Sequence, residues 1–169
     1  MFEKIRRDFK RHGSSLTEPG VWVMAVYRFG QWKNTLPKPA RWVAHKMYRV
    51  GFLGTNVLCG CHVSDTVEFG ENPHLVHAKD VLIHPRVKLG DRVGMMHAVT
   101  LATTVDRPGA PEIGNDVFIG TGAVIVGPVK IGDGARIAPN SLVTNDVPAG
   151  ATAIGVPARI IKAPKLKAL

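Results

Sequence analysis

Apolar side chains recur every six residues along the second half of the chain. Ile113, Ile119, Ile125, Ile131, Ile137 and Val143 form one column. Four positions after each stands a small or β-branched residue: Val117, Ala123, Val129, Ala135, Ser141 and Val147. The register runs backward through Ile83, Leu89, Met95 and Leu101, with Val87, Val93, Val99 and Val105 in the second column. A step of six fits neither an amphipathic helix nor an alternating strand. It fits one short strand and one turn per hexad, three hexads closing a triangular coil whose Ile column stacks on itself inside. Gly114, Gly120 and Gly132 directly follow Ile positions, and Asn-Asp, Gly-Asp and Pro-Asn pairs fall where the chain must turn. The pattern predicts a mainly β fold, a parallel β-helix.

Two interruptions stand out. The hexad starting at Arg107 reads Arg-Pro-Gly-Ala-Pro-Glu and has no apolar side chain to place inward, so 102–112 is expected as a loop extruded from one coil. Upstream, Val63, Phe69 and Leu75 keep the six-residue step but lie two residues out of the downstream register. The slip falls between Leu75 and Ile83 and contains His77, which an irregular corner frees to face a cleft. No hexad precedes residue 57. Residues 2–12, 21–33 and 40–53 read as three helices, with Trp22, Tyr27, Trp32, Trp42 and Tyr48 as packing residues. The expected division is a helical region 1–56, a β-helix 57–158 and a basic tail 159–169.

Charge sharpens this division. Residues 1–50 hold 11 Lys/Arg against 3 Asp/Glu, and residues 51–158 hold 7 against 10. Arg159, Lys162, Lys165 and Lys167 make the tail basic. A helical region so basic, with Arg6, Arg7, Lys10 and Arg11 clustered, is expected to dock on the acidic solenoid of a neighbouring subunit or on an anionic membrane surface. Nucleic acid is not an expected partner, because no helix-turn-helix, zinc or aromatic readout pattern accompanies the charge. No apolar run approaches the ~20 residues of a membrane span, and the N-terminal charges are not followed by the apolar segment of a secretory signal. Cys59 and Cys61, one residue apart, read as free thiols of a cytoplasmic protein.

The segments LVHAKDVLIHPRVKLGDRVGMMHAVTLA and APEIGNDVFIGTGAVIVGPVKIGDGARI, the tail VPAGATAIGVPARIIKAP and the opening RRDFKRHG…TEPG…YRFGQW resemble the bacterial serine acetyltransferase-like hexapeptide acyltransferases. The likeness looks strongest to the branch associated with exopolysaccharide and lipopolysaccharide gene products. The resemblance implies a left-handed coil, acetyl-CoA as co-substrate, no metal, and a homotrimer with its active site between neighbouring β-helices. It makes His77, ahead of Val99-Thr100-Leu101, the catalytic base. Three positions depart from the serine-specific pattern: Val76 where an acid precedes the base, His62 where a partner Asp lies upstream, and Ala110 where a second His follows the loop. These departures point to a sugar or polysaccharide-precursor hydroxyl as acceptor, with serine or another amino-acid hydroxyl as the alternative. The loop and the C-terminal coils are expected to form the CoA groove, through Thr103, Gly120, Thr121, Gly122, Ala123, Ala138, Pro139, Arg159 and Lys162.

An imidazole titrates near neutrality and can take a proton from a hydroxyl and return it to a leaving thiolate, which is the work asked of His77. His97, one hexad before the loop, is the second candidate. Asp65, Glu68, Asp80 or a backbone carbonyl is left to orient His77. A three-histidine metal site of carbonic anhydrase type is a rival reading, but no pair has the His-x4-His spacing it needs. A non-enzymatic scaffold is the other rival.

Overall fold

The computed structural model describes residues 2–161. Three helices, α1 (Phe2–Arg11), α2 (Pro19–Lys33) and α3 (Lys38–Cys59), precede a stack of short strands. The first coil comprises β1 (His62–Val63), β2 (Glu68–Phe69) and β3 (His74–Leu75), and the second β4 (Leu82–Ile83), β5 (Lys88–Leu89) and β6 (Gly94–Met95). The third comprises β7 (Thr100–Ala102), β8 (Glu112–Ile113) and β9 (Phe118–Ile119), and the fourth β10 (Val124–Val126), β11 (Lys130–Ile131) and β12 (Arg136–Ile137). β13 (Leu142–Val143), β14 (Thr152–Ile154) and β15 (Arg159–Ile161) complete the top. Face A is β1-β4-β7-β10-β13, face B is β2-β5-β8-β11, and face C is β3-β6-β9-β12-β14-β15. All pairings are parallel except β14 with β15.

The predicted columns form the core. Ile83, Leu101, Ile125 and Val143 stack on face A, and Leu75, Met95, Ile119 and Ile137 on face C, all at most 1% exposed. Each such side chain stabilises the fold by ~1.5–3 kcal/mol relative to leaving it in water. Ser141 is the one hydroxyl in the small column, and its Oγ accepts the Gly155 N–H at 3.1 Å.

Both interruptions appear, with corrected detail. His62 pairs with Leu82, twenty residues on, whereas Leu82 pairs with Thr100, eighteen on, so the first corner between faces C and A carries two extra residues. Thr100 pairs with Val124, twenty-four on, which makes room for the extruded loop. That loop is 103–111, because Ala102 and Glu112 remain in strands. Val105 does not join the second column: it is fully exposed on the loop. Pro111 takes that place, its carbonyl accepting the Lys88 N–H at 3.2 Å. The loop folds back along the edge between faces A and B, where Arg107 Nη2 donates to the Thr144 carbonyl at 3.1 Å.

α1 stops one residue short of its expected limit, whereas α2 and α3 run beyond theirs. α2 begins at Pro19, the first-turn position where proline's missing N–H costs nothing. α3 continues past 53 to Cys59, so the strands begin at His62. Gly60 ends α3 in the left-handed conformation, with Gly60 N–H donating to Asn56 and Cys61 N–H to Thr55. That C-cap needs glycine's freedom at positive φ.

Together the helices close the open end of the first coil, one per edge. His12, just past α1, accepts the Leu75 N–H at Nε2 (3.1 Å) and donates from Nδ1 to the Asp8 carbonyl (2.7 Å). Tyr27 of α2 donates to the Val67 carbonyl at 2.8 Å and accepts the Phe69 N–H at 3.4 Å. Tyr48 of α3 accepts the Asp65 N–H at 3.0 Å, and burial pushes its phenol up to about 12. Part of the basic charge has intrachain partners: Arg28 pairs with Asp8 at 2.8 Å and Lys33 with Asp65, all four nearly buried, and Arg7 meets Glu71 at the surface.

Candidate active site

The two-residue insertion shapes the corner that holds His77. Val76 N–H donates to the Met95 carbonyl at 2.8 Å, so the chain is still in register with the coil above. His77 then adopts φ 50°, in the left-handed region. Among non-glycine residues His tolerates that region better than most. Ala78 is fully buried, and the Lys79 carbonyl accepts the Ala98 N–H at 2.8 Å. The backbone is thus pinned on both sides of a side chain that is 67% exposed. Nδ1 of His77 lies 3.6 Å from Oε2 of Glu18, the residue just before α2.

Above this corner the same edge continues coil by coil. The Gly122 N–H donates to the His97 carbonyl at 3.1 Å, and the Asn140 N–H to the Thr121 carbonyl at 2.8 Å. His97, Thr121 and Pro139 therefore stack along the edge between faces C and A, each just before a left-handed residue: Ala98, Gly122 and Asn140. The structure gathers His77, His97, Gly120, Thr121, Gly122, Ala123, Ala138 and Pro139 on one edge. Within it, Ala123 points into the core and is fully buried. Gly120 has a packing reason of its own, since a Cβ there would lie 2.7 Å from the Pro139 nitrogen and 2.9 Å from the Ile137 carbonyl of the next coil. Arg159 is exposed on β15 of face C. Thr103 begins the extruded loop on the other margin of face A, and Lys162 lies outside the described residues. Within one chain, the histidine edge and the loop are separated by the width of face A.

The residues expected to orient His77 are engaged elsewhere. Asp65 bonds to Lys33 and Asn34; burial alone would raise its carboxyl, but these partners hold it below the usual range. Glu68 approaches Lys88 at 3.9 Å. Asp80 packs against Gly60. His62 bonds through Nδ1 to Asn56 Oδ1 at 3.1 Å, with its ring edge-on to Phe52. Glu18 was not among the expected candidates. Its only signal in the sequence is an acidic residue before Pro19-Gly20, and nothing in a periodicity says where that helix end lands. Among the described residues, no group of three or more His, Cys, Asp or Glu side chains converges as metal ligands do. Cys59 and Cys61 are free thiols, and among the described residues no helix is long and apolar enough to cross a membrane.

Comparison with known proteins places likenesses along most of the chain. Residues 110–145 match the family of bacterial transferase hexapeptide proteins (six repeats). A serine acetyltransferase of Mycobacterium tuberculosis is 33% identical over 145 residues, which is 85% of this chain and 61% of that protein. A serine acetyltransferase of Synechococcus elongatus is 28% identical over 95% of this chain and 69% of its own length. The serine acetyltransferase of Brucella abortus in complex with coenzyme A superposes with a TM-score of 0.79 at 25% identity, covering 95% of this chain and 67% of that one. The chain thus spans about 61% of the length of the mycobacterial relative. These likenesses favour the serine acetyltransferases and correct the expectation of the polysaccharide-associated branch.

Proposed function

We propose that this chain, a hexapeptide-repeat β-solenoid of the serine acetyltransferase type, transfers the acetyl group of acetyl-CoA to the hydroxyl of a serine-like amino acid. The observation that carries this reading is His77: an exposed imidazole on a pinned, left-handed corner, with Nδ1 turned toward a carboxylate and Nε2 left for substrate. Nε2 takes the proton of the acceptor hydroxyl as its oxygen attacks the thioester carbonyl. The C–S bond breaks, and the proton passes from His77 to the departing thiolate. Backbone N–H groups along the corner can stabilise the oxyanion, each well-placed donor contributing ~3 kcal/mol. The edge above His77 is the natural track for CoA, with His97 beside the reacting centre, Thr121, Gly122, Ala138 and Pro139 along the pantetheine arm, and Arg159 toward the phosphates.

The active unit is proposed to be a homotrimer. His77 and the extruded loop occupy opposite margins of face A, so a site using both needs the loop of a second copy beside the histidine edge of the first. A second reading, a sugar hydroxyl as acceptor, is favoured by one observation: neither Val76, Ala110 nor the Asn56-bound His62 offers a charge to an amino acid's ammonium or carboxylate. Following free thiol released from acetyl-CoA across L-serine, other hydroxy amino acids and sugars tests both. Turnover highest on L-serine or a close analogue is the expected result. Turnover confined to sugars transfers the assignment to the second reading, and no thiol release with any acceptor removes both.

A further inference from the structure

We infer that Glu18 is the positioning residue of the site: its carboxylate holds His77 in the tautomer and orientation that general-base catalysis needs. The inference rests on the reading of His77 as the base. It begins from the separation of 3.6 Å between Glu18 Oε2 and His77 Nδ1. That is longer than a direct hydrogen bond, but catalytic contacts are often long without substrate and tighten in the complex. The Glu18 side chain makes no capping bond to its own helix, so it is available to His77.

The approach of α2 is enforced by packing. A Cβ on Gly20 would lie 2.5 Å from the Leu75 carbonyl and 2.6 Å from the His12 ring. Only glycine lets the first turn of α2 press so closely on β3, two residues before His77. His12 fixes the other side by accepting the Leu75 N–H. Glu18 and His77 therefore belong to segments locked to the same strand. With Nδ1–H directed at Glu18, the Nε2 lone pair points away from the helix. Once Nε2 has gained the acceptor's proton, the carboxylate offsets the imidazolium charge. The position upstream that would carry an acid in serine acetyltransferases is His62 here, turned to Asn56 and Phe52.

The test compares wild type with Glu18→Gln, Glu18→Asp, His77→Gln and the double variant Glu18→Gln/His77→Gln, using acetyl-CoA and the best acceptor from the screen. Glu18→Gln is expected to lower kcat by at least about tenfold, the equivalent of one pKa unit of coupling. KM for acetyl-CoA should hold, so that the loss falls on kcat alone. Glu18→Asp should recover part of the loss. In the His77→Gln background the second substitution should cost nothing further, as expected of coupled residues. Thermal unfolding of Glu18→Gln should match wild type. Unchanged kcat in an active, folded Glu18→Gln overturns the inference. So does an effect confined to KM for the acceptor, which assigns Glu18 to substrate binding, or a loss explained by a lowered Tm. Absence of activity in the wild type instead removes the function on which the inference rests.

Discussion

At the scale of the residue, the proposed chemistry rests on a side chain that the repeat would otherwise exclude. Every regular hexad spends its apolar positions on the core and its corners on tight turns. The two-residue excess between Leu75 and Ile83 is what frees His77. Substituting His77 by Gln, which keeps polarity and similar bulk, is expected to lower turnover by ~10²–10⁴-fold while circular dichroism and Tm stay those of wild type. Near wild-type turnover in that variant means the base is elsewhere. The irregular corner that carries His77 was legible in the sequence because a register slip is visible as arithmetic on apolar positions. The place of Glu18 beside it was not, because that depends on where a helix end docks. Val105 misled for a related reason: it keeps the spacing of its column, but Pro111 fills the buried place once the loop has left the coil.

At the scale of the element, the solenoid was readable almost strand by strand, since one period fixes strand, turn and inward face together. The helical cap was less so. α3 outruns its expected end because its stop signal is the left-handed Gly60, beyond an internal Gly54 that the helix tolerates. The contact of α1 with β3 sets a pH dependence. The His12 and His74 rings meet edge to face at 4.9 Å. Burial, and then its basic neighbours His12 and Arg11, hold His74 below its ordinary value of 6.5. The folded chain therefore binds that proton more weakly than the unfolded chain. The sign follows directly: stability is full above 6.5 and declines as pH falls through the window below it. Thermal unfolding measured from about pH 7.5 down to about pH 5.5 should show Tm falling, and His74→Gln should flatten that slope. An equal slope in both proteins would remove His74 as its source.

At the scale of the whole molecule, the two margins of face A predict the assembly. The mass in solution should be that of three chains, read by light scattering under conditions where acetyl transfer proceeds; a monomer active under those conditions would contradict the shared site. The capped lower end carries one more consequence. Parallel coils stacked by backbone hydrogen bonds have the geometry of a growing fibril, and an uncovered first coil would be a template for another chain's strands. His12, Tyr27 and Tyr48 occupy the amides and carbonyl that such a strand would seek. At the upper end β15 reverses direction against β14, and the Ala158 N–H donates to the Leu142 carbonyl across the top of face A. The helices thus serve as a terminator as well as a support for the proposed site: loosening them alone, with every coil intact, would leave the first coil open to pairing with the strands of another chain.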